Sequence, residues 1–130
     1  MPAYQALAQP SALYPGDSYN VWSAEAPISG KASERVAISS YPDGNPSYCS
    51  VELSFTVAPT GGWEIDIQES DTDSDSFFQG SLGGAITQVN ANNTWRVDLN
   101  APVTSKFLRL YMKTAPTYNG GKLTASISKQ

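Results

Sequence analysis

The chain has 130 residues, 40% hydrophobic and 15% charged, which matches one domain with its own core and excludes a disordered segment. Its formal net charge of −4 repels nucleic acid, and no Lys/Arg cluster offsets that field locally. With one cysteine, Cys49, and no histidine, an intrachain disulfide and ordinary Cys/His zinc sites are excluded.

Residues 1–30 contain Pro2, Pro10, Pro15 and Pro27 but no apolar period. Proline removes backbone donors and biases its preceding neighbour toward extended geometry, so this stretch is expected to be an extended N-terminal arm or edge segment, with a short strand starting at Val21 and Trp22. Residues Met1 to Pro10 show neither a basic region nor a sustained apolar run, so no export signal is expected. No later segment approaches the apolar length that spans a bilayer.

From Arg35 onward the period is two, the signature of strands with one buried face. Val36 and Ile38 alternate with small polar partners, and Val51, Leu53, Phe55 and Val57 alternate with Glu52, Ser54 and Thr56. Trp63, Ile65 and Ile67 alternate with Glu64 and Asp66, and Cys49 shares the inward parity of Val51. The pattern resumes at Ala85 to Val89, at Trp95, Val97 and Leu99, at Lys106 to Lys113, and at Leu123, Ala125 and Ile127. In Lys106 to Lys113 the second face, Phe107, Arg109 and Tyr111, is amphipathic, so this strand is expected to be covered on both sides. Turn-forming stretches such as Ala58-Pro-Thr-Gly-Gly62 and Tyr118-Asn-Gly-Gly121 separate these runs, and no window carries helical spacing. The expectation is an all-β fold: a single antiparallel β-sandwich over residues 31–130, jelly-roll-like or alternatively immunoglobulin-like, preceded by the 1–30 segment.

The absence of histidine removes the commonest general base and the usual partner of Ser or Cys nucleophiles. What survives for catalysis is a carboxylate pair such as Glu64 and Asp66 on one outward strand face, an arrangement that alternation alone also produces. No catalytic residue and no cofactor is therefore expected. Asp71, Asp73 and Asp75 offer hard oxygen ligands at alternating positions, but the calcium-loop template fails, with Ser76 and Leu82 where it needs Gly and Glu; they stand as weak metal candidates beside the reading of a solvated acidic loop. Among the aromatics, Tyr4, Tyr14 and Tyr19 fall in the 1–30 segment, and Phe77-Phe78 follows the acidic run. All five are candidate interface residues, since amphipathic rings anchor intersubunit contacts or stack on sugars.

The stretch Trp63-Glu-Ile-Asp-Ile-Gln-Glu-Ser-Asp-Thr-Asp-Ser-Asp75, followed by Ile86-Thr-Gln-Val89, Trp95-Arg-Val-Asp98 and Lys106-Phe-Leu-Arg-Leu-Tyr111, resembles small tailed-bacteriophage virion proteins. In these, a strand ending in an Asp-x-Asp turn precedes a strand of the form hydrophobic, Arg, hydrophobic near the C-terminus. The resemblance covers roughly the second half of the chain. It implies a β-sandwich on a virion, of the capsid decoration or cement type, bound to the major capsid protein or another virion component. It further implies a homo-oligomer, with a trimer as one form. The alternative expectation is a carbohydrate- or receptor-binding module of a tail or fibre protein, and the third a small carboxylate-dependent hydrolase. Neither a nucleic-acid nor a membrane partner is expected.

Overall fold

The computed structural model describes residues 12–13, 16–38, 48–80, 82–99, 103 and 105–130. Among them the alternating segments form β1 (Ala12–Leu13), β2 (Ser18–Glu25), β3 (Lys31–Ala32), β4 (Val36–Ile38), β5 (Cys49–Phe55), β6 (Glu64–Ser70), β7 (Thr94–Asp98), β8 (Phe107–Thr114) and β9 (Leu123–Lys129). Among the described residues the helical content is one 3₁₀ turn, Asp75–Phe77.

One sheet has the order β2-β9-β5-β7, antiparallel throughout. In the other, β8 is flanked on one edge by β6 and on the other by β3 and β4 in tandem, with β1 added parallel to β4. Ser33 joins β3 to β4 without breaking the ladder. Its backbone N–H donates to Leu110 O at 2.8 Å, and its hydroxyl takes the place of a backbone carbonyl by accepting the Leu110 N–H at 2.8 Å. Along the free edge of β6, residues 79–86 return with bridges Glu69↔Gln79 and Ile65↔Ile86.

The chain thus passes from sheet to sheet: β2 in the first, β3 and β4 in the second, β5 in the first, β6 and residues 79–86 in the second, then β7, β8 and β9 in alternation. This winding is a jelly roll, and it decides between the two sandwich topologies that alternation leaves open. The single parallel pair, β1 with β4, departs from a purely antiparallel sandwich.

The core lies between the sheets. Val51, Leu53 and Phe55 face Ile65, Ile67, Leu108, Leu110 and Met112, with Leu123, Ala125 and Ile127 beside them and Cys49 fully enclosed. Each such side chain contributes roughly 1.5–3 kcal/mol on burial, so a one-residue slip of β5 is heavily disfavoured.

Two expectations need correction, and the edge alternative for the first thirty residues gains its bounds. Val57 is 41% exposed because β5 stops at Phe55 and the chain turns away before reaching it. Ala85 to Val89 is not a full strand, since only Ile86 bridges β6. Residues 18–25 form an eight-residue edge strand with Val21 and Trp22 in the core, so the described part of the first thirty residues belongs to the sandwich as its edge. The arm reading falls on residues 1–11, which lie outside the described residues, as do Tyr4 and Tyr14.

Candidate interaction surfaces

β8 turns Leu108, Leu110 and Met112 inward, so Arg109 stands on the outer face of its sheet. It is nonetheless only 5% exposed, because the acidic loop following β6 folds back over it. The Arg109 Nε donates to Gln68 Oε1 at 2.9 Å and the guanidinium donates to Asp75 at 3.1 Å. Arg35, just before β4, reaches the same loop, pairing with Asp73 at 2.9 Å and with Asp75. Phe78 lies against both guanidinium groups, its ring centroid 4.2 Å from Arg109 Cζ and 5.0 Å from Arg35 Cζ. Burial pushes the Arg109 guanidinium below the usual arginine range, while Asp75 opposes that shift. The second face of β8 is therefore covered, by a latch of two arginines, two aspartates and one phenylalanine.

The latch accounts for the acidic run. Asp73 and Asp75 neutralise arginines, and Asp71 instead accepts the Lys106 backbone N–H at 3.2 Å. Among the described residues no three His, Cys, Asp or Glu side chains converge on a common cation position. Phe78 is spent inside the latch, whereas its neighbour Phe77, on the 3₁₀ turn, is 57% exposed. Tyr19 is half-buried on β2, its hydroxyl donating to Glu34; that hydrogen bond, reinforced by burial, pushes the phenol up to about 12.

The sandwich has two dissimilar ends. At the base, Gly16 N–H donates to Lys129 O, Gln130 N–H to Tyr48 O, and Asp71 meets Lys106, so both termini of the described core and the acidic loop lie there. The exposed ring of Tyr48 belongs to this end, and Phe77 is exposed on the latch loop that leaves it.

At the opposite end, the tip, four loops come together: 26–30, 56–62, 87–93 and 115–121. Thr60 and Thr117 form an isolated antiparallel bridge, and the Asn119 amide donates to Ala58 O at 3.1 Å and to Thr60 Oγ1 at 3.1 Å. Tyr118 OH donates to Pro27 O at 2.7 Å, and Ala115 N–H to Ser29 Oγ at 2.7 Å. The fourth loop joins through Phe55 N–H, which donates to Asn93 O at 2.9 Å. Beneath them Phe55 packs on Trp63 and Tyr118, with ring centroids 5.5 and 6.2 Å apart, and burial pushes the Tyr118 phenol up to about 12.

Not one of these four loops contains Asp, Glu, Lys or Arg, although 15% of the chain is charged. Ile28 is 72% exposed there, and Val57, on the neighbouring loop 56–62 and packed close to Gly121, is 41% exposed. The tip was not singled out by sequence reasoning, yet its signal is present: three of the loops contain Ala-Pro, at Ala26, Ala58 and Ala115, and run from there to a closing glycine without a charge between.

The remaining candidates are dispersed. Glu64 pairs with Lys113 at 3.4 Å, while Asp66, two residues along the same face of β6, is buried. On the outer face of the first sheet, Arg96 bridges Glu52 and Asp98 within a shallow depression also lined by Asn20, Ser54, Thr94 and Thr124.

No known family model and no curated protein sequence matches the chain. Among solved structures, it is similar to the crystal structure of SPBc2 prophage-derived protein YomS, at 17% identity over 88% of this chain and 92% of that one, with a TM-score of 0.47, a likeness that assigns neither family nor function.

Proposed function

We propose that this chain is a bacteriophage virion structural protein of the capsid decoration type, bound to the major capsid protein or another virion component by protein–protein contact and performing no catalytic step. The observation that carries the reading is the placement of exposed apolar side chains among the described residues: Ile28 and Val57 sit at the tip, Tyr48 at the base, Phe77 on the latch loop that leaves the base, and none of them within a strand. A protein that assembles end-on needs that distribution. The jelly roll alone does not choose, because it serves viral capsid and lectin domains alike.

The base is assigned to the particle. Phe77 is carried on a loop clamped to the sheet by Arg35 and Arg109, so its backbone is ordered before any contact is made and the cost of ordering the loop is avoided. Aromatic anchors of this kind dominate binding energy at interfaces. The glycan-binding alternative is less favoured, since Trp22 and Trp63 are buried and Trp95 is half-buried, which leaves no exposed tryptophan platform. A hydrolase is less favoured because Glu64 is engaged by Lys113 and Asp66 is buried.

The test is immunogold labelling of purified particles made from the genome that encodes the chain, with the parent protein and with Phe77→Asp. Gold on the heads that disappears with Phe77→Asp supports the proposal. Unlabelled heads, or labelling indifferent to the substitution, overturn it.

A further inference from the structure

The tip has the composition of an interface rather than of a solvated loop cluster. Interface centres are depleted of charge and ringed by polar residues, and both features are here. The loops of the tip are uncharged, and the charged residues adjoining them are Glu25, Lys31, Glu64, Lys113 and Lys122, at or beside the ends of β2, β3, β6, β8 and β9. Three lysines against two glutamates leave this rim slightly positive, while the chain as a whole carries −4. The acidic excess is thus kept elsewhere, including the latch loop with Asp71, Asp73 and Asp75.

That distribution bears on which occupant the tip suits. Two copies of an acidic protein repel wherever their acidic regions meet, and like charges held face to face across an interface cost several kcal/mol. The tip is a surface on which a second copy meets no such penalty: its centre has no charge, and its rim carries both signs, so a lysine of one copy can face a glutamate of the next. It is also prepared in advance. Bonds between loops, from Tyr118 to Pro27, Asn119 to Ala58 and Ala115 to Ser29, fix Ile28 and Val57 in place before any partner arrives.

We propose that the charge-free tip is the self-association surface of this chain, with Ile28 and Val57 as its apolar centre and a second copy as its partner. The inference deepens the assembly reading and rests on it for its biological setting, although the two are tested by different measurements.

The experiment is light scattering coupled to size exclusion on the full chain from about 10 nM to 1 mM, which spans dissociation free energies of about 4 to 11 kcal/mol. Parent, Ile28→Asp/Val57→Asp and Phe77→Asp are compared. The parent should run as a multiple of the chain mass, the tip variant as a single chain with association weakened at least tenfold, and the base variant like the parent. Because both tip side chains already face solvent, the tip variant should stay folded, with the melting temperature of the parent diluted until it is a single chain. As a readout needing no substitution, amide chemical shifts of the parent should move on dilution in loops 26–30, 56–62, 87–93 and 115–121. A parent that stays monomeric at the highest concentration, a tip variant that keeps the parent's mass, or dilution shifts confined to the base would each overturn the proposal. Loss of self-association at the tip with normal labelling of heads would leave the particle reading intact, and the converse result would leave this one intact.

Discussion

Replacing Arg109 by alanine should release the latch and lower stability by about 2–4 kcal/mol. The buried aliphatic stem contributes about 0.8 kcal/mol per methylene, and stacking on Phe78, with Cζ 4.2 Å from the ring centroid, adds about 0.5–2 kcal/mol. The bond to Gln68 adds about 1 kcal/mol. Against these stands the desolvation that holds the guanidinium below its usual pKa, a cost that disappears with the charge. The ion pair with Asp75 contributes little, under about 1 kcal/mol, because that carboxylate is 79% exposed and screened. For a chain of this size the loss corresponds to a fall in melting temperature of roughly 8–16 °C. A double-mutant cycle in urea separates the terms: coupling of Arg109 to Phe78 should exceed coupling of Arg109 to Asp75. Hydrogen exchange should show protection lost at residues 71–79 and kept in β5 and β9. A drop below about 3 °C, or an Asp75→Asn variant as damaging as Arg109→Ala, would refute the claim that ring stacking and stem burial hold this loop down.

Gly121→Ala should cost about 1–3 kcal/mol, because an added Cβ would lie 2.8 Å from Val57 Cβ and 3.0 Å from its backbone nitrogen; a thermal melt measures it, and an unchanged midpoint would mean the two tip loops are free to part. Alkali should destabilise the fold in two overlapping steps. The Cys49 thiol is raised from 9.0 to about 11 by burial, and Tyr19 and Tyr118 are raised from 10.0 to about 12, the first mainly by its bond to Glu34 and the second by burial. A raised folded-state pKa gives stability that is complete below the ordinary value and lost as pH climbs through the raised one. Denaturant midpoints should therefore be unaffected by these groups below pH 9 and fall from there toward pH 12; a flat profile to pH 12 would contradict their burial. Native protein at neutral pH should react with a thiol reagent only through unfolding, at a rate that follows the population of the open state; prompt stoichiometric labelling would place Cys49 outside the core.

The strands legible from sequence are those with uninterrupted alternation. β5, β6, β8 and β9 each keep one apolar face through their length, and their pairing in register is what period two requires. β2 was legible only as a short start because its register shifts after Asn20 and again after Trp22, with Ala24 at a positive φ of 51°. Those bulges put the adjacent Val21 and Trp22 into the same core, which alternation forbids and bulges allow. Phe77 and Phe78, both interface candidates from the sequence, differ in the fold, one exposed and one buried. That the buried ring would sit on Arg109 and Arg35 was out of reach, since the contacts join residues far apart in the chain. The acidic run likewise resembled a ligand set only because its cations come from β8 and the approach to β4.

The four uncharged loops are the opposite case. Every residue of the tip is visible in the sequence, and each loop taken alone is an ordinary turn, so the absence of charge acquires meaning only when the loops share one end. Jelly-roll winding supplies that step: the chain runs down one strand and back up another before it reaches the same end again, so segments 30 residues and more apart become neighbours there. The same winding commits alternate strand residues to the core and leaves the outer faces polar, closed by the latch on one side and by the Glu52, Arg96 and Asp98 group on the other. The large apolar residues that remain exposed, among the described ones, are therefore confined to the connections between strands, where packing does not dictate them. On the proposed reading a contact at each end of one rigid body can be lost without disturbing the other, which makes opposite phenotypes for Phe77→Asp and Ile28→Asp/Val57→Asp the sharpest consequence of the architecture.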